Sequence, residues 1–571
     1  MMKNRNEDIN NTSNEIIERA DFLEIENFEK QTVYDDQHFI EINNALLDKG
    51  TILLQGPRGC GKTHLMRYTW FLCQNDNEKP LALYVSFNKY FWLEPLLKTK
   101  PNAISLFNTW CLTKILISAH EVLETLKSED LKSNILIAKK NQLEDIVTRL
   151  EQGLAPTTEQ EIITSQISVS SVTKSLDELT KFIGRKRAII LLDDAAISLT
   201  PDYLYEFFDI VRTLKTSKIA LKASVYPGTT EYGPKFHVNH EGKVVNAWLD
   251  IQNSDYSAIL DKIAKVRFKN VNTIDSNIVE LLKYASFGIP RAFLTMLRDY
   301  SLSDSNRNQQ KFNQIVERFC EVKLSEYLSL KDKLSRLESI ISTGAILFKQ
   351  MIDKIKNANA NVKYANKNTK QVILGVEEYQ DPLASRMFQL LIEVGLIFPL
   401  TNISHGENRT YQRYIPHYAF LLNAKVFNKN SRGFNAKEIL LYINRANEKH
   451  PVRTKLTSLL GNNYNLHLNL PACSQCATPR VNDSQKFCTH CGSQLVDESV
   501  FNKCMNIKLN EVPGLTEWQQ VRIESLNTKN VGEFLTLPDP GSELRKIPNI
   551  GRRRAETIID KIRLHVDEYL S

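Results

Sequence analysis

The sequence of 571 residues contains no apolar run approaching the ~18 residues that a membrane-spanning helix needs. Its first 22 residues, MMKNRNEDINNTSNEIIERADF, hold no apolar stretch of the kind a secretory leader carries, so no leader is expected. Cysteine is sparse, nine in all, too few for a fold built on disulfides. Neither charge dominates: 73 Lys and Arg against 66 Asp and Glu give +7, which permits a polyanionic partner without requiring one. With 42% hydrophobic and 24% charged residues the composition is ordinary for globular proteins, which excludes a collagenous, a purely coiled-coil or a mostly disordered chain. No repeat at solenoid spacing is present. These absences point to a cytoplasmic protein without a membrane partner, and the length predicts about three to four domains.

What is there begins with a polar lead-in over residues 1–30. From 31 to 250, apolar runs (TILLQ at 51, LALYVSF at 81, AIILLDD at 188, IALKASV at 219) alternate with helical patterns. Strands separated by helical segments predict an α/β fold with a parallel sheet. The second and third runs are far apart, and the spacing predicts a helical insertion over about 100–180. It has helical patterns at Leu106–His120 and Leu143–Leu150 and a mobile Ser/Thr-rich link, ISVSSVTKS. From 251 to 465 the pattern is mostly helical with one hairpin, and beyond Leu468 the composition changes abruptly.

The strongest signal is Gly56-Pro57-Arg58-Gly59-Cys60-Gly61-Lys62-Thr63, between the apolar run at 51 and a helix-like segment that starts at His64. This is GxxxxGK[ST] in strand–loop–helix context. The glycines let backbone N–H groups close around phosphate oxygens, and the helix N-terminus adds partial positive charge. Lys62 is expected at the β- and γ-phosphates and Thr63 on Mg²⁺, so the loop through His64 is expected to bind a nucleoside triphosphate. The run Ala188–Asp194 supplies the acidic strand, with Asp193 at its end holding Mg²⁺ through water. Asp194 stands where a glutamate usually polarises the attacking water. It is one methylene shorter, which points to slow hydrolysis or a nucleotide switch.

Two later features extend the pattern. The run Ile219–Val225 ends on Ser224, and Phe287-Gly288-Ile289-Pro290-Arg291 opens a helix. A polar residue at a strand tip followed by a G-x-P-R helix resembles sensor 1 and sensor 2 of AAA+ ATPases, and the arrangement is most similar to their ORC/CDC6 branch, over roughly residues 31–425. The resemblance implies a P-loop core at 31–250, a helical lid at 251–330 and a winged-helix domain at 331–430, followed by a linker at 431–468. It implies ATP as the nucleotide, hydrolysis to ADP and phosphate, and assembly of copies of the chain through the core. It also implies that Arg291 contacts the γ-phosphate from the lid. Arg267, in KVRFKN, is a weak candidate for the arginine finger. In the third block, SRMFQLLIEVG leads into LIFPL, the polar turn TNISHGENRT and YQRYIPHY, which fits a wing. Arg409 and Arg413 would touch DNA phosphates there, and Lys349, Lys354, Lys356, Lys363, Lys367 and Lys370 make the preceding stretch basic.

Cys473-x₂-Cys476 and Cys488-x₂-Cys491 have zinc-ribbon spacing, placing a ribbon at 469–500. Four thiolates leave no open coordination position, so the Zn²⁺ is expected to be structural, and Gly492 suits the turn after the last cysteine. Cys504 and the four upstream cysteines read as buried thiols or loop residues. Finally, Ile547-Pro548-Asn549-Ile550-Gly551-Arg552-Arg553-Arg554-Ala555 resembles the second hairpin of a helix-hairpin-helix DNA-binding unit. Val512-Pro513-Gly514-Leu515 resembles a degenerate first copy, giving a tandem unit at 501–571. Gly551 permits close approach of a phosphate to backbone N–H groups, Asn549 tolerates a left-handed backbone, and Arg552–Arg554 add electrostatic reach.

The sequence thus predicts an ATP-dependent protein that binds duplex DNA with weak sequence preference. Because the ribbon and hairpins are additions to the usual ORC/CDC6 plan, phage-defence or mobile-element function is the expectation. A regulator of replication initiation or transposition, and an ATP-gated scaffold that recruits an effector protein with little hydrolysis, are the rival readings.

Overall fold

The structure is a computed structural model. It describes residues 28–571 except 88–92, 94–99, 126–135, 195–200, 361–369, 407–408, 428–434, 445–450, 483–484, 496–503 and the single positions 269, 304, 306, 463, 474, 486, 494, 527, 536, 538 and 571. Residues 1–27 of the polar lead-in, and Lys363 and Lys367, lie outside the described residues.

The principal elements of the first 250 residues are α1 (Gln37–Leu47), β1 (Ile52–Gln55), α2 (Lys62–Asn75), β2 (Leu81–Ser86), α3 (Ala103–Thr125), α4 (Lys140–Glu151), α5 (Val169–Phe182), β3 (Ala188–Asp193), α6 (Pro201–Leu214), β4 (Ile219–Val225) and β5 (Lys243–Asn246). The five strands are parallel, in the order β2-β3-β4-β1-β5. The pleat sends alternate side chains to opposite faces. Leu53, Leu83, Ile190, Leu192, Leu221 and Ala223 meet Phe107 and Trp110 of α3 and Phe207 of α6 on one face. Ile52, Leu54, Ala82, Ile189, Leu191 and Ala220 meet α1 and α2 on the other. With both faces covered, the strands read as continuous apolar runs, which is why four of them are legible in the sequence. The fifth, β5, is short and mostly exposed, so no such run marks it.

The expected insertion at about 100–180 is helical, but it is not an appendage: α3 and α5 pack in the same apolar core as the sheet. The mobile link expected at ISVSSVTKS is a correction. Ser168 caps α5 by accepting from the Ser171 backbone N–H, and Val172, Leu176 and Leu179 are buried. Serine signals a helix start here, because its side chain satisfies an otherwise unpaired N–H.

Beyond the sheet come α7 (Tyr256–Arg267), α8 (Ser276–Ala285), α9 (Pro290–Leu302), α10 (Asn308–Lys333), α11 (Glu338–Ala360), β6 (Leu374–Glu377), α12 (Pro382–Val394), β7 (Ile397–Ser404), β8 (Thr410–Pro416) and β9 (Val452–Thr454). A second sheet runs β7-β8-β6-β9, antiparallel except for the β6–β9 pair. The expected turn at Thr401 is displaced: β7 continues through Ser404 with an irregularity between Leu400 and Ile403. Buried residues from Trp248 to Leu459 form one apolar cluster, so α7–α9 and the second sheet share a core. Lys349, Lys354 and Lys356 are exposed as the basic stretch requires, but Lys370 is buried with its ammonium 5.4 Å from the Tyr442 ring centroid. It is not part of a solvent-facing basic surface.

The tail contains α13 (Glu517–Ile523), α14 (Val531–Leu535), α15 (Pro540–Arg545) and α16 (Arg552–Leu570). Val512, Leu515, Ile523, Val531, Phe534, Leu544, Ile547, Ile550, Ile558 and Ile562 bury its interior. Among the described residues no helix is long and apolar enough to cross a membrane.

Candidate functional site

The loop from Gly56 to Gly61 joins the buried end of β1 to α2. Gly61 precedes the helix with φ +100°, a conformation that costs an L side chain dearly and glycine little. It turns the chain so that the first free N–H groups of α2 face the loop. Lys62, the first residue of α2, is 6% exposed. Its ammonium donates to the carbonyls of Gly56 (2.6 Å) and Pro57 (3.3 Å) and lies 3.8 Å from the Tyr226 ring centroid. Burial lowers its pKa, and the nearby acids Cys60, Asp193, Asp194 and Glu393 work against that. The cation is therefore held on loop carbonyls, from which phosphate oxygens would draw it away. Thr63 follows it on α2.

Asp193 closes β3 and is 1% exposed. One carboxylate oxygen accepts from Tyr84 Oη at 2.9 Å, while Oδ1 is buried without a hydrogen-bond partner. An unsatisfied buried carboxylate oxygen is costly and is what a hydrated cation would satisfy. Asp194 follows with φ +54°, and its N–H donates to the buried Ser224 Oγ at 2.9 Å. Ser224 thus fixes the backbone of the acidic pair from the neighbouring strand.

The His64 side chain is engaged with the segment ahead of α1. Its ring stacks on Phe28 (centroids 4.7 Å apart, planes at 19°), and Nε2 lies 2.9 Å from Thr32 Oγ1. The Thr32 hydroxyl already donates to the Phe28 carbonyl at 2.6 Å, so Nε2 must carry the proton and donate to Thr32. Burial, with Arg267 and Arg67 close by, pushes the His64 pKa down to about 3. Arg267, the arginine-finger candidate, thus lies near His64 of the loop helix.

The turn before α9, in the segment expected to form the lid, reaches the phosphate loop. Phe287 and Gly288 both have positive φ, and a methyl group on Gly288 would come within 2.3 Å of the Leu249 carbonyl. The tight turn is fixed by Trp248 Nε1 donating to the Phe287 carbonyl (2.7 Å) and Gly288 N–H donating to Tyr256 Oη (2.9 Å). It aims α9 at the loop: the Arg291 N–H lies 3.4 Å from the Gly59 carbonyl, and a methyl on Gly59 would be 3.2 Å from Arg291 Cβ. Arg291 itself is exposed.

Sequence reasoning missed a third contributor, Glu393 of α12. It is 4% exposed and accepts from the N–H groups of Gly228 (2.8 Å) and Thr229 (2.7 Å) and from Thr229 Oγ1 (3.0 Å). Burial raises its pKa, opposed by Arg58 and by those donors. Two residues on, Gly395 lies against the loop: an added methyl would be 3.0 Å from Ile289 and in ordinary contact with Pro57 at 3.5 Å. A glutamate in an amphipathic helix carries no signal of this; only its unusual apolar neighbours, LLIEVG, hint at burial.

The four cysteines Cys473, Cys476, Cys488 and Cys491 present sulfurs all within 4.8 Å of one another. Bonds of about 2.3 Å to a tetrahedral zinc put sulfurs roughly 3.8 Å apart, so this donor set fits. The two knuckles match: Ala477 N–H donates to the Cys473 carbonyl and Gly492 N–H to that of Cys488, with Ala477 and Gly492 both at positive φ. The other five cysteines are buried.

In the tail, Asn549 takes φ +67° and Gly551 is open to solvent. Arg552 pairs with Glu556 at 3.0 Å, Arg554 donates to the Asn549 carbonyl at 2.8 Å, and Arg553 is exposed. On the second sheet, Arg413 is engaged by Thr401 through its carbonyl and hydroxyl, whereas Arg409 is exposed beside the turn.

Residues 24–216 match the ORC-CDC6-like family model. No curated protein matches the chain. Similar solved structures include the Walker-type ATPase of Pyrococcus abyssi (15% identity, 68% of this chain and 96% of that one, TM-score 0.36) and Cdc6p from Pyrobaculum aerophilum (15% identity, 71% and 94%, TM-score 0.28). The family match spans both the phosphate loop and the acidic strand of the parallel sheet, so residues 24–216 are similar to the ORC-CDC6-like family.

Proposed function

We propose that this protein is an ATP-dependent DNA-binding switch of ORC/CDC6 type. The observation that carries the reading is that three separate elements surround Lys62 and its loop: Asp193 with an unsatisfied oxygen, the helix of Arg291, whose N–H reaches the Gly59 carbonyl, and Glu393, whose charge acts on Lys62 from the unit bearing the second sheet. A triphosphate seated there would be sensed by all three.

Lys62 would leave the Gly56 and Pro57 carbonyls for the β- and γ-phosphates, and Thr63 and Asp193 would hold Mg²⁺. Bound magnesium neutralises phosphate charge. Arg291 would meet the γ-phosphate, and Asp194 would orient water, its short side chain favouring slow turnover. Residues 331–430 would act as a winged helix, 469–500 as a zinc ribbon and 501–571 as a tandem helix-hairpin-helix. Gly551, Arg552, Arg553, Arg554, Arg409 and Arg413 would lie on DNA phosphates. Copies of the chain would assemble through the core. Phage defence or mobile-element biology, in the cytoplasm, is the setting this combination suits.

The left-handed Asp194 keeps one rival in play, an ATP-gated scaffold that recruits an effector protein and hydrolyses little. Both are tested by measuring ATP turnover and duplex affinity, each with and without the other ligand, in the wild type and in Lys62→Ala. The switch reading expects ATP to change duplex affinity in the wild type and not in the variant. Mutual indifference of the two ligands rejects it and leaves the scaffold.

A further inference from the structure

The tail carries a feature that neither hairpin needs for gripping a phosphate. Trp518 of α13 is 39% exposed, although an indole is usually largely covered. It stands in a groove of about 460 Å³ between the two hairpins, lined by Thr516, Trp518, Gln519, Asn549 and Arg554. The Arg554 guanidinium lies 5.0 Å from the indole centroid. Arg522, which does not line the groove, lies 4.6 Å from the same ring. Both arginines are positioned by the second turn: Arg522 donates to the Pro548 carbonyl (2.6 Å) and Arg554 to that of Asn549 (2.8 Å). The Gln519 side chain is held by Lys561 and by the Thr516 N–H, both at 3.0 Å.

The lining thus has one large aromatic surface, one planar cation, three uncharged hydrogen-bonding side chains and no carboxylate. An apolar peptide would find a single apolar side chain there. A cationic ligand would be repelled. A flat ring joined to a phosphate suits every part of it: the ring stacks on the indole and guanidinium layer, and amide groups meet its edge. A base inside a duplex is already stacked on its neighbours and cannot enter.

We propose that the groove at Trp518 binds an unpaired nucleotide, so that the tail recognises DNA carrying a single-stranded extension rather than uniform duplex. This rests on the DNA-binding reading above and narrows it to a class of substrate.

The test uses the full chain and three labelled probes: a blunt duplex, the same duplex with a short thymidine overhang, and the duplex with an abasic overhang of equal length. The wild type is expected to bind the thymidine overhang about tenfold or more tightly than the other two, the loss expected for one stacked base. Trp518→Ala should bring the overhang to the blunt level while blunt affinity stays unchanged. Trp518→Phe, which keeps a ring and the fold, should retain most of the preference. Equal wild-type affinity for all three probes overturns the proposal, as does an equal fall on every probe in Trp518→Ala. If an acidic peptide, and no overhang, shows Trp518-dependent binding, the groove docks protein and the nucleotide assignment is wrong. Absence of binding to any DNA defeats the DNA-binding reading along with it, whereas blunt binding without overhang preference defeats this inference alone.

Discussion

His64 sits one residue beyond the magnesium-binding position expected at Thr63 and remains neutral. Its Nε2 proton goes to Thr32 and its ring to Phe28, so it pins the segment ahead of α1 onto the loop helix. Its folded pKa of about 3 lies below the ordinary value of 6.5. The sign follows from linkage: between those two values the unfolded chain binds a proton that the folded chain refuses, so stability falls as pH falls below 6.5. Each pH unit costs about 1.4 kcal/mol. His64→Gln, whose amide can still donate to Thr32, should flatten this slope by one proton in denaturant unfolding followed from pH 7 to pH 4. Identical slopes would show that His64 is not the acid-sensitive group. Asp194 supports a second prediction at this scale. If its length limits hydrolysis, Asp194→Glu should raise ATP turnover by about tenfold or more, within the range general bases contribute, with ATP affinity little changed. A turnover no higher than wild type would mean that the left-handed backbone, rather than side-chain length, sets the rate.

Among the elements, legibility followed how local the physics is. The strands β1–β4 are buried on both faces and announce themselves as apolar runs, and the phosphate loop is a contiguous string whose spacing is its function. The cysteine knuckles are likewise local, each needing only a few residues. By contrast β5, β6 and β9 are four residues or fewer and owe their existence to neighbours they pair with, which no short window contains. Ser168 misled because serine serves loops and helix caps equally, and only the buried stripe Val172, Leu176 and Leu179 distinguishes them. Ser168→Ala should cost about 1 kcal/mol, read as a shift in the denaturant midpoint. The knuckles carry a larger stake. With few buried apolar residues around them, a bound zinc would supply most of their folding free energy, on the order of 10 kcal/mol. A zinc-selective chelator in excess magnesium should open residues 473–493 to protease while ATP affinity is kept. A chelated protein whose ribbon stays resistant would show that the fold does not depend on zinc.

On the scale of the whole molecule, the phosphate loop is enclosed by parts of the chain far away in sequence. Trp248 packs edge-on against Phe287 of the lid turn and Phe398 of β7, and its indole N–H holds that turn. Pro57 lies under Gly395, and Glu393 clasps the turn that follows the Ser224 strand. Because the lid and the second sheet share one apolar core, a movement at Arg291 cannot leave α12 behind. Glu393 is the polar member of this contact, so it is where nucleotide state would pass to the unit bearing the second sheet. Glu393→Ala strands the buried Gly228 N–H and the half-buried N–H and hydroxyl of Thr229, and should destabilise the fold by about 3 kcal/mol. Its sharper effect concerns coupling between ligands, which for linked sites is commonly about 5- to 150-fold. Glu393→Gln keeps an acceptor for these donors and should preserve folding and ATP binding while weakening the clasp. Duplex affinity measured with and without a non-hydrolysable ATP analogue should then show the ATP effect reduced severalfold in Glu393→Gln and absent in Glu393→Ala. If both variants fold, bind ATP and respond to it on DNA as the wild type does, the signal travels through the apolar contacts around Trp248 instead. Trp248→Ala would then be the variant that abolishes it.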